Sequence, residues 1–352
     1  MKVLIVGAGS IGKRHALNFK SLNNEVVVCD TNKDRVRKFS KENDFSYYLN
    51  YFDAINTEDF DAAVIATPSN FHIEPAIDLA SHKLNIFMEK PLSISMEKVN
   101  HLSHIVEKNN LIFMMGQSYR FHEGMLCIKD LMDNNIVGDI YNVEMLGGWY
   151  LPDWHYKEDY TKEYAARSDL GGGVLLTSLS HSIDTVRWLF GEVVDFRGWK
   201  AKLGNLKLDV DDYVSCSLFT DKKIIVNIID DFLSRIPRNQ IRINGSEGFI
   251  VSAFSKNEIH YWNTNTKRFL PDDKSLKPNY AYKKILEDGI NYDTSLDKKS
   301  FKFNINKRYV DEINFFAEKV KERDPNFSPN LFDGIRVMEI LTNEKISEVS
   351  WK

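Results

Sequence analysis

The sequence predicts an α/β domain over residues 1–118, followed by an α+β domain with an open, mostly antiparallel β-sheet over residues 119–352. Two observations predict this division. Up to residue 118, short apolar segments alternate with amphipathic helical segments, whereas longer segments of alternating polarity follow Tyr119. The length of 352 residues and the hydrophobic share of 43% are sufficient for a packed core in each of two domains.

The first domain is predicted to be built from strand and helix units. Short apolar runs predict strands at Lys2–Val6, Glu25–Asp30, Ala62–Ala66, Asn85–Met88 and Leu111–Met115. Helical spacing of apolar residues predicts helices at Ile11–Ser21, Lys33–Asn43, His72–Ser81 and Met96–Asn109. Apolar strands separated by amphipathic helices are typical of βαβ units around a parallel sheet that is covered on both faces.

The second domain is predicted to contain mainly strands. Alternating polarity predicts strands at Ile140–Gly147, Val193–Leu203, Asp211–Phe219, Lys223–Ile229, Gln240–Asn244 and Phe249–Phe254. A helix is predicted at Val174–Leu189, before most of these strands, and a final helix at Lys307–Lys321. The C-terminal helices are expected to pack back on the first domain. Lys256–Lys302 is polar and rich in turn residues, which favours a long surface excursion.

Composition and charge exclude several classes of protein. The 46 basic residues do not exceed the 50 acidic ones, which argues against nucleic acid as the main partner. No apolar run approaches the ~20 residues of a membrane helix, and the apolar N-terminal stretch is too short for a signal peptide. Three cysteines, far apart in the chain, favour a reducing cytoplasmic location. No metal site is predicted.

A glycine-rich loop follows the first predicted strand. Residues Gly7–Gly12 match G-x-G-x-x-G where a strand ends and a helix begins. In this pattern Gly7 makes the tight turn, Gly9 lets the backbone approach a pyrophosphate, and Gly12 lets the helix pack closely on the strand. The residues predicted to contact the dinucleotide are Gly7, Gly9, Ser10, Ile11 and Gly12. The loop therefore predicts an N-terminal Rossmann dinucleotide-binding domain.

Asp30 is the predicted ribose ligand of this domain. It ends the second predicted strand, near the ~20-residue spacing expected for a carboxylate that accepts from a ribose hydroxyl. The same carboxylate would repel a 2′-phosphate. The sequence therefore favours NAD over NADP.

Lys90 is predicted to lie where a parallel strand ends. Ligands of open α/β sheets bind beyond the carboxyl ends of strands, and Pro91 restricts the backbone of Lys90 to extended conformations. A lysine in this place can hydrogen-bond a substrate hydroxyl and share in its proton transfer. From the motif alone, an ordinary solvated lysine before a loop fits equally well.

Four motifs together resemble the glucose–fructose oxidoreductase, inositol dehydrogenase and rhizopine-catabolism family (Gfo/Idh/MocA). In chain order they are Gly7–Gly12, Ala66–His72, Glu89–Pro91 and Gly171–His181. The resemblance covers most of the chain, to about residue 255, and the C-terminal helices more loosely. It implies NAD(P)-dependent hydride transfer at a carbinol of a sugar, cyclitol or sugar nucleotide.

The resemblance also implies roles for individual residues. Lys90 would contact the reacting hydroxyl, and the Ala66–Pro68 segment would border the nicotinamide. The cofactor-side candidates carried over are Thr67, Pro68, Asn70, His72, Glu89 and Lys90.

His181 is the candidate general acid/base. It lies on a predicted helix after the glycines at 171–173, and a histidine near its ordinary pKa suits proton removal from a carbinol at neutral pH. Without the resemblance, a histidine packed in the core is the more ordinary interpretation. Many relatives have an aspartate where Thr177 stands, one helical turn before His181. Thr177 could orient the imidazole by hydrogen bonding, but it lacks the charge of a carboxylate. Asp184 or another acid could compensate for that charge, Lys90 could carry more of the proton transfer, or activity could be lost.

Several residues are candidates for contact with the substrate. Tyr119 and Arg120 follow the last Rossmann strand, and Arg120 could bind a carboxylate or phosphate or pair with an acid at the domain junction. Trp154 lies in an aromatic loop that could face a sugar ring or pack against the sheet or a subunit. Arg167 is a second candidate for an anionic group. With Lys90, Thr177 and His181, these residues complete the predicted substrate set.

Three functions remain open from the sequence. The leading hypothesis is an NAD-dependent dehydrogenase or ketoreductase for a sugar or sugar nucleotide, in a pathway of surface-carbohydrate biosynthesis. The alternatives are a catalytically silent NAD-binding regulatory protein and a lyase or epimerase with transient NAD oxidation. A homodimer or homotetramer is expected, because an open sheet leaves one face to cover.

Overall fold

The structure is a computed structural model, which describes residues 1–155, 158–254, 257–263, 297–300, 304 and 306–349. The strands are β1 Lys2–Val6, β2 Glu25–Cys29, β3 Ser46–Tyr48, β4 Ala62–Ile65, β5 Asn85–Glu89, β6 Phe113–Gly116, β7 Ile140–Gly148, β8 Val193–Ala201, β9 Tyr213–Thr220, β10 Ile225–Asp231, β11 Arg238–Gly245, β12 Gly248–Ala253, β13 Glu258–Asn263, β14 Asp297–Ser300 and β15 Ile346–Val349. The helices are α1 Ser10–Ser21, α2 Lys33–Asn43, α3 Tyr51–Thr57, α4 Ile73–Ser81, α5 Val99–Lys108, α6 Glu123–Asp133, α7 Val174–Thr177, α8 Leu179–Phe190, α9 Lys307–Glu322 and α10 Leu331–Leu341. Within these ranges, no helix combines the length and the apolar character that crossing a bilayer requires.

The first domain contains a parallel sheet in the order β3–β2–β1–β4–β5–β6. Its central strands are buried along nearly their whole length, because helices cover both faces. Two elements were missed by the sequence prediction, β3 and α3. Both are short and largely exposed, so that neither carries a clear apolar pattern.

The second domain contains a sheet in the order β14–β13–β12–β11–β7–β10–β9–β8–β15. Most neighbours are antiparallel, and the pairs β7–β10 and β8–β15 are parallel. On β10, Val226 and Ile228 alternate with exposed residues, so one face of the sheet packs against the helices while the other is open. The predicted fold class, a Rossmann domain followed by a mostly antiparallel sheet domain, is confirmed.

The structure corrects three details of the second domain. The helix predicted at Val174–Leu189 is interrupted at Ser178, between α7 and α8. Lys307–Lys321 is not the final helix, because α10 and β15 follow it. The described ends of Lys256–Lys302 are strands β13 and β14 rather than a surface excursion, and residues 264–296 of that segment lie outside the described residues.

The C-terminal helix α9 packs against the Rossmann domain. Ile313 and Phe316 are fully buried in the core of the first sheet, where the Phe316 ring meets that of Phe87 edge-on at 5.7 Å. Asn18 on α1 and Asn306 before α9 exchange side-chain hydrogen bonds. The chain thus returns to its first domain, and the start of α9 lies between the two domains.

Candidate active site

The glycine loop joins β1 to α1 with the geometry that the motif predicts. A side chain at Gly7, whose φ is 103°, would meet the carbonyl oxygen of Ala66 at 2.6 Å. A Cβ at Gly12 would lie 1.8 Å from the carbonyl oxygen of Gly7, so both positions require glycine. At Gly9, by contrast, no described atom lies within 4 Å of the Cβ position. The loop therefore leaves open backbone at the N-terminus of α1, which fits a pyrophosphate.

Asp30 lies beside this loop at the end of β2. Its carboxylate accepts hydrogen bonds from the amides of Ala8 and Asn32, both at 2.7 Å, and Arg35 contacts it at 3.2 Å. These bonds hold the carboxylate at the rim of the loop, the place at which a ribose ligand is expected.

The Thr67–His72 segment of the first domain contacts the second domain. The Asn70 amide donates to the carbonyl of Asp169 in the second domain at 2.6 Å. The buried ring of His72 bridges the carbonyls of Thr67 at 2.9 Å and Pro91 at 2.8 Å, so its nitrogens brace two loops rather than face a ligand. Burial lowers the pKa of His72.

Glu89 and Lys90 end β5, and the Lys90–Pro91 peptide bond is cis. Glu89 accepts a hydrogen bond from Nε2 of the buried His15 at 2.7 Å. Although burial opposes ionisation, this bond and the neighbouring cations lower the pKa of Glu89. Burial lowers the pKa of Lys90, and the charge of Glu89 opposes that effect. Lys90 is therefore a partly desolvated amine suited to sharing a proton.

The break between α7 and α8 determines the role of Thr177. Its hydroxyl donates to the carbonyl of Gly173 at 2.6 Å. The suggestion from the sequence that this hydroxyl orients His181 is therefore not supported. The amide of His181 donates to Ser178 instead of Thr177. This leaves the Thr177 carbonyl free to accept from Nζ of Lys90 at 2.8 Å.

His181 stacks on Tyr119, with ring centroids 4.8 Å apart and an interplanar angle of 17°. Its Nδ1 is buried and has no hydrogen-bond partner in the described part of the chain. Burial and the charges of Lys90 and Arg308 hold the pKa of His181 well below its ordinary value. The imidazole is therefore neutral at neutral pH, which is the form that accepts a proton.

Arg120 contributes to the domain junction. Its guanidinium donates to both carboxylate oxygens of the buried Asp184, at 2.8 and 2.6 Å, and lies 3.3 Å from Asp333. Of the two roles that the sequence left open for Arg120, this arrangement favours pairing with an acid at the domain junction over substrate binding. Asp184 is consequently committed to Arg120, and the idea that it compensates for a missing partner of His181 is not supported.

The other two substrate-side candidates also have protein contacts. Arg167 forms a two-point ion pair with the exposed Asp169. Trp154 packs edge-on against Phe232 at 5.3 Å, and its indole nitrogen is buried without a described hydrogen-bond partner. Neither residue is brought to Lys90 and His181 by a described contact.

Two residues at the site escaped the sequence prediction, Arg308 and Asp230. Arg308 is the second residue of α9, and its guanidinium lies over the Tyr119 ring at 5.3 Å. Asp230 is buried on β10, and burial with the adjacent Asp231 raises its pKa to about 7. Alternation along β10 assigns Asp230 to the apolar face, and an acid on that face could have indicated a functional residue. Nothing in the sequence indicated that Arg308 lies near the site.

Fold and site define a dinucleotide-binding oxidoreductase. The model of the oxidoreductase family with an NAD-binding Rossmann fold matches residues 1–117, and the GFO/IDH/MocA C-terminal domain matches residues 125–251. The chain belongs to the GFO/IDH/MocA family, which confirms the resemblance seen in its motifs.

Similar proteins carry several different names. Glucose-6-phosphate 3-dehydrogenase of Bacillus subtilis is 27% identical over 65% of this chain and 67% of its own length. 2,7-Anhydro-N-acetylneuraminate hydratase of Mediterraneibacter gnavus is 25% identical over 70% of this chain and 65% of its own length. The structure of levoglucosan dehydrogenase with NADH superimposes with a TM-score of 0.80 at 18% identity, over 97% of this chain and 95% of that one.

Proposed function

We propose that this protein is an NAD-dependent dehydrogenase or ketoreductase acting on a sugar or sugar nucleotide. The observation that carries the proposal is the placement of Lys90. Lys90 follows β5, which β4 separates from β1, the strand that leads into the glycine loop. Its amine donates to the Thr177 carbonyl just before the helix that carries His181. Family membership and the named activities of the relatives support the same reaction class.

The described residues fit NAD. Gly7 and Gly12 exclude side chains from the loop, Gly9 leaves its backbone open, and Asp30 offers a carboxylate to a ribose. When bound, NAD supplies the ring that accepts or returns a hydride. A preference for NAD over NADP is part of the proposal, because the Asp30 carboxylate would repel a 2′-phosphate.

Lys90 and His181 divide the work at the reacting hydroxyl. Lys90 donates a hydrogen bond to that oxygen and stabilises negative charge developing on it during oxidation. The neutral His181 ring accepts the hydroxyl proton, and stacking on Tyr119 holds the ring in place. In the reverse direction, the same groups return the proton to a ketone.

A redox-neutral reaction is the second candidate. The relative named 2,7-anhydro-N-acetylneuraminate hydratase, which is 25% identical to this chain, has a name that denotes no net oxidation and supports this candidate. The same lysine and histidine could serve a transient oxidation at a sugar carbon followed by elimination or epimerisation. The proposal includes a cytoplasmic location. It also includes a role in surface-carbohydrate biosynthesis, which the identity of the substrate would test.

One experiment separates these functions. The protein is incubated with NAD and a panel of sugars, sugar phosphates and nucleotide sugars, and both reduced nicotinamide and product mass are followed. Net formation of NADH is expected. Product without net NADH would instead assign the redox-neutral reaction. Tight NAD binding with no conversion across the panel would contradict catalysis and favour a regulatory protein.

The oligomeric state is proposed on separate grounds. Trp199 and Ile225 are exposed on the open face of the second sheet. Covering such a face in a homodimer or homotetramer would remove apolar surface from water. Light scattering coupled to size-exclusion chromatography is expected to give twice or four times the chain mass of 40.8 kDa, and a monomer would contradict the proposal.

A further inference from the structure

The aromatic ring of Tyr119 lies between Arg308 and the proposed catalytic histidine, His181. The guanidinium carbon of Arg308 is 5.3 Å from the centroid of Tyr119 and 4.7 Å from that of Tyr309. The Tyr119 ring stacks in turn on His181 at 4.8 Å. The charge of Arg308 contributes to lowering the pKa values of both Lys90 and His181, which places it in the same electrostatic environment.

Arg308 has no carboxylate partner among the described residues. One terminal nitrogen donates to the hydroxyl of Tyr309 at 2.8 Å, and the buried Nε has no acceptor in the described ranges. Arg308 is half-buried, whereas the buried Arg120 and Arg187 have ion pairs with Asp184 and with Asp333, respectively. Arg308 is therefore unlike the buried arginines that serve the packing of this protein.

The acid one helical turn from Arg308 does not neutralise it. Glu312 is fully buried, and neither of its carboxyl oxygens has a hydrogen-bond partner in the part of the chain described. Burial and the charge of Glu89 raise the pKa of Glu312 well above its ordinary value, against the opposing charge of Arg308. A second cation, Arg14, stacks on the other neighbour of Arg308, Tyr309, at 4.6 Å. The guanidinium groups of Arg308 and Arg14 thus both lie over Tyr309, and neither has an ion pair among the described residues.

An unpaired cation in a partly desolvated place is costly unless an anion completes it. A guanidinium offers parallel donors that match a carboxylate or a phosphate. We propose that Arg308 binds an anionic group of the substrate, so that the preferred substrates are acidic sugars, sugar phosphates or nucleotide sugars. This inference rests on the proposed sugar dehydrogenase or redox-neutral function, because it assigns the substrate class of the same site.

The test compares a neutral sugar with related sugars that carry an anionic group. Binding of D-glucose, D-glucuronate, D-glucose 6-phosphate and UDP-glucuronate to the NADH-loaded protein is measured by nicotinamide fluorescence, which requires no turnover. At least one acidic probe is expected to bind tenfold or more tightly than glucose. The Arg308→Gln variant should lose about 10- to 100-fold of that affinity, as for a charged hydrogen bond, and Arg308→Lys should recover part of it.

Two controls test whether Arg308 binds the anionic group of the substrate or the phosphates of the cofactor. Arg242→Gln removes an exposed arginine that also lies over an aromatic ring, that of Phe249, and should leave acidic-probe affinity unchanged. The affinity of Arg308→Gln for NADH alone should match that of the unmodified protein and also show that the variant is folded. A loss of NADH affinity with unchanged probe affinity would assign Arg308 to the cofactor phosphates and overturn the proposal.

The remaining outcomes are also decisive. Failure of every acidic probe to bind more tightly than glucose would overturn the assignment of substrate class. Binding of an acidic probe that depends on Arg308, without conversion of any compound, would leave this inference standing while contradicting the proposed catalysis.

Discussion

Asp230 makes the stability of the protein depend on pH in an unusual direction. The carboxyl group lies in the row of β10 that contains the buried Val226 and Ile228, and its pKa rises from an ordinary 3.8 to about 7 through burial and the charge of Asp231. A Cβ at Gly147 on the neighbouring strand would lie 2.7 Å from this group, so the carboxyl fills the space that a side chain would take. The folded protein therefore binds the Asp230 proton more tightly than the unfolded chain does.

The size of the effect follows from this difference in pKa. At ~1.4 kcal/mol for each pKa unit, a rise from 3.8 to about 7 corresponds to about 4 kcal/mol of folding free energy. The sign is opposite to that of an ion-paired aspartate. The stabilising contribution is present below pH 3.8 and is lost as the pH rises to about 7, where the buried group ionises.

The substitution Asp230→Asn removes this ionisation and keeps the shape of the side chain. Relative to the unmodified protein, the variant should gain stability between pH 4.5 and 8, by at most about 4 kcal/mol. Urea denaturation at several pH values measures the difference in unfolding free energy, and the exposed Asp59→Asn serves as the control. A stability difference that stays constant with pH would refute the assignment of a raised pKa to Asp230.

Three further predictions concern the cofactor, the catalytic base and the domain junction. Asp30→Ala should increase the affinity for NADP relative to NAD, and an unchanged ratio of the two dissociation constants would remove Asp30 from the ribose site. His181→Ala should lower kcat by about 10²- to 10⁴-fold while leaving NAD affinity nearly intact, whereas the exposed His104→Ala should retain full turnover. Asp184→Asn should destabilise the protein by about 3–5 kcal/mol, because it leaves the buried Arg120 guanidinium without its main counter-charge. Thermal melting should show that loss, and a melting temperature within 1 °C of the original (about 0.7 kcal/mol for a chain of 352 residues) would contradict it.

The sequence predicted those parts of the fold that depend on local patterns. Apolar periodicity is strongest where a segment is buried, and α2 was predicted with its observed bounds. The break at Ser178 was not predictable, because the residues around it continue a helical pattern while a side chain from another domain binds the freed carbonyl. That contact between Lys90 and Thr177 joins residues 87 positions apart.

Those parts of the candidate site were predictable that a single short sequence motif forms by itself. The glycine loop, Asp30 and Lys90 belong to this class, since each follows from a strand end and its flanking residues. The partners of arginines were not predictable in the same way. Arg120 follows the last Rossmann strand and Arg308 is the second residue of α9, and only the folded chain shows that Arg120 has a carboxylate partner.

The interruption between α7 and α8 also affects how this position can vary during evolution. Lys90 is oriented by a main-chain oxygen, which every amino acid at position 177 provides. The local contact is therefore insensitive to side-chain drift at that position as long as the helix break is kept. A search that required an acidic residue there would discard this chain as inactive, although the contact that aims its lysine does not depend on one.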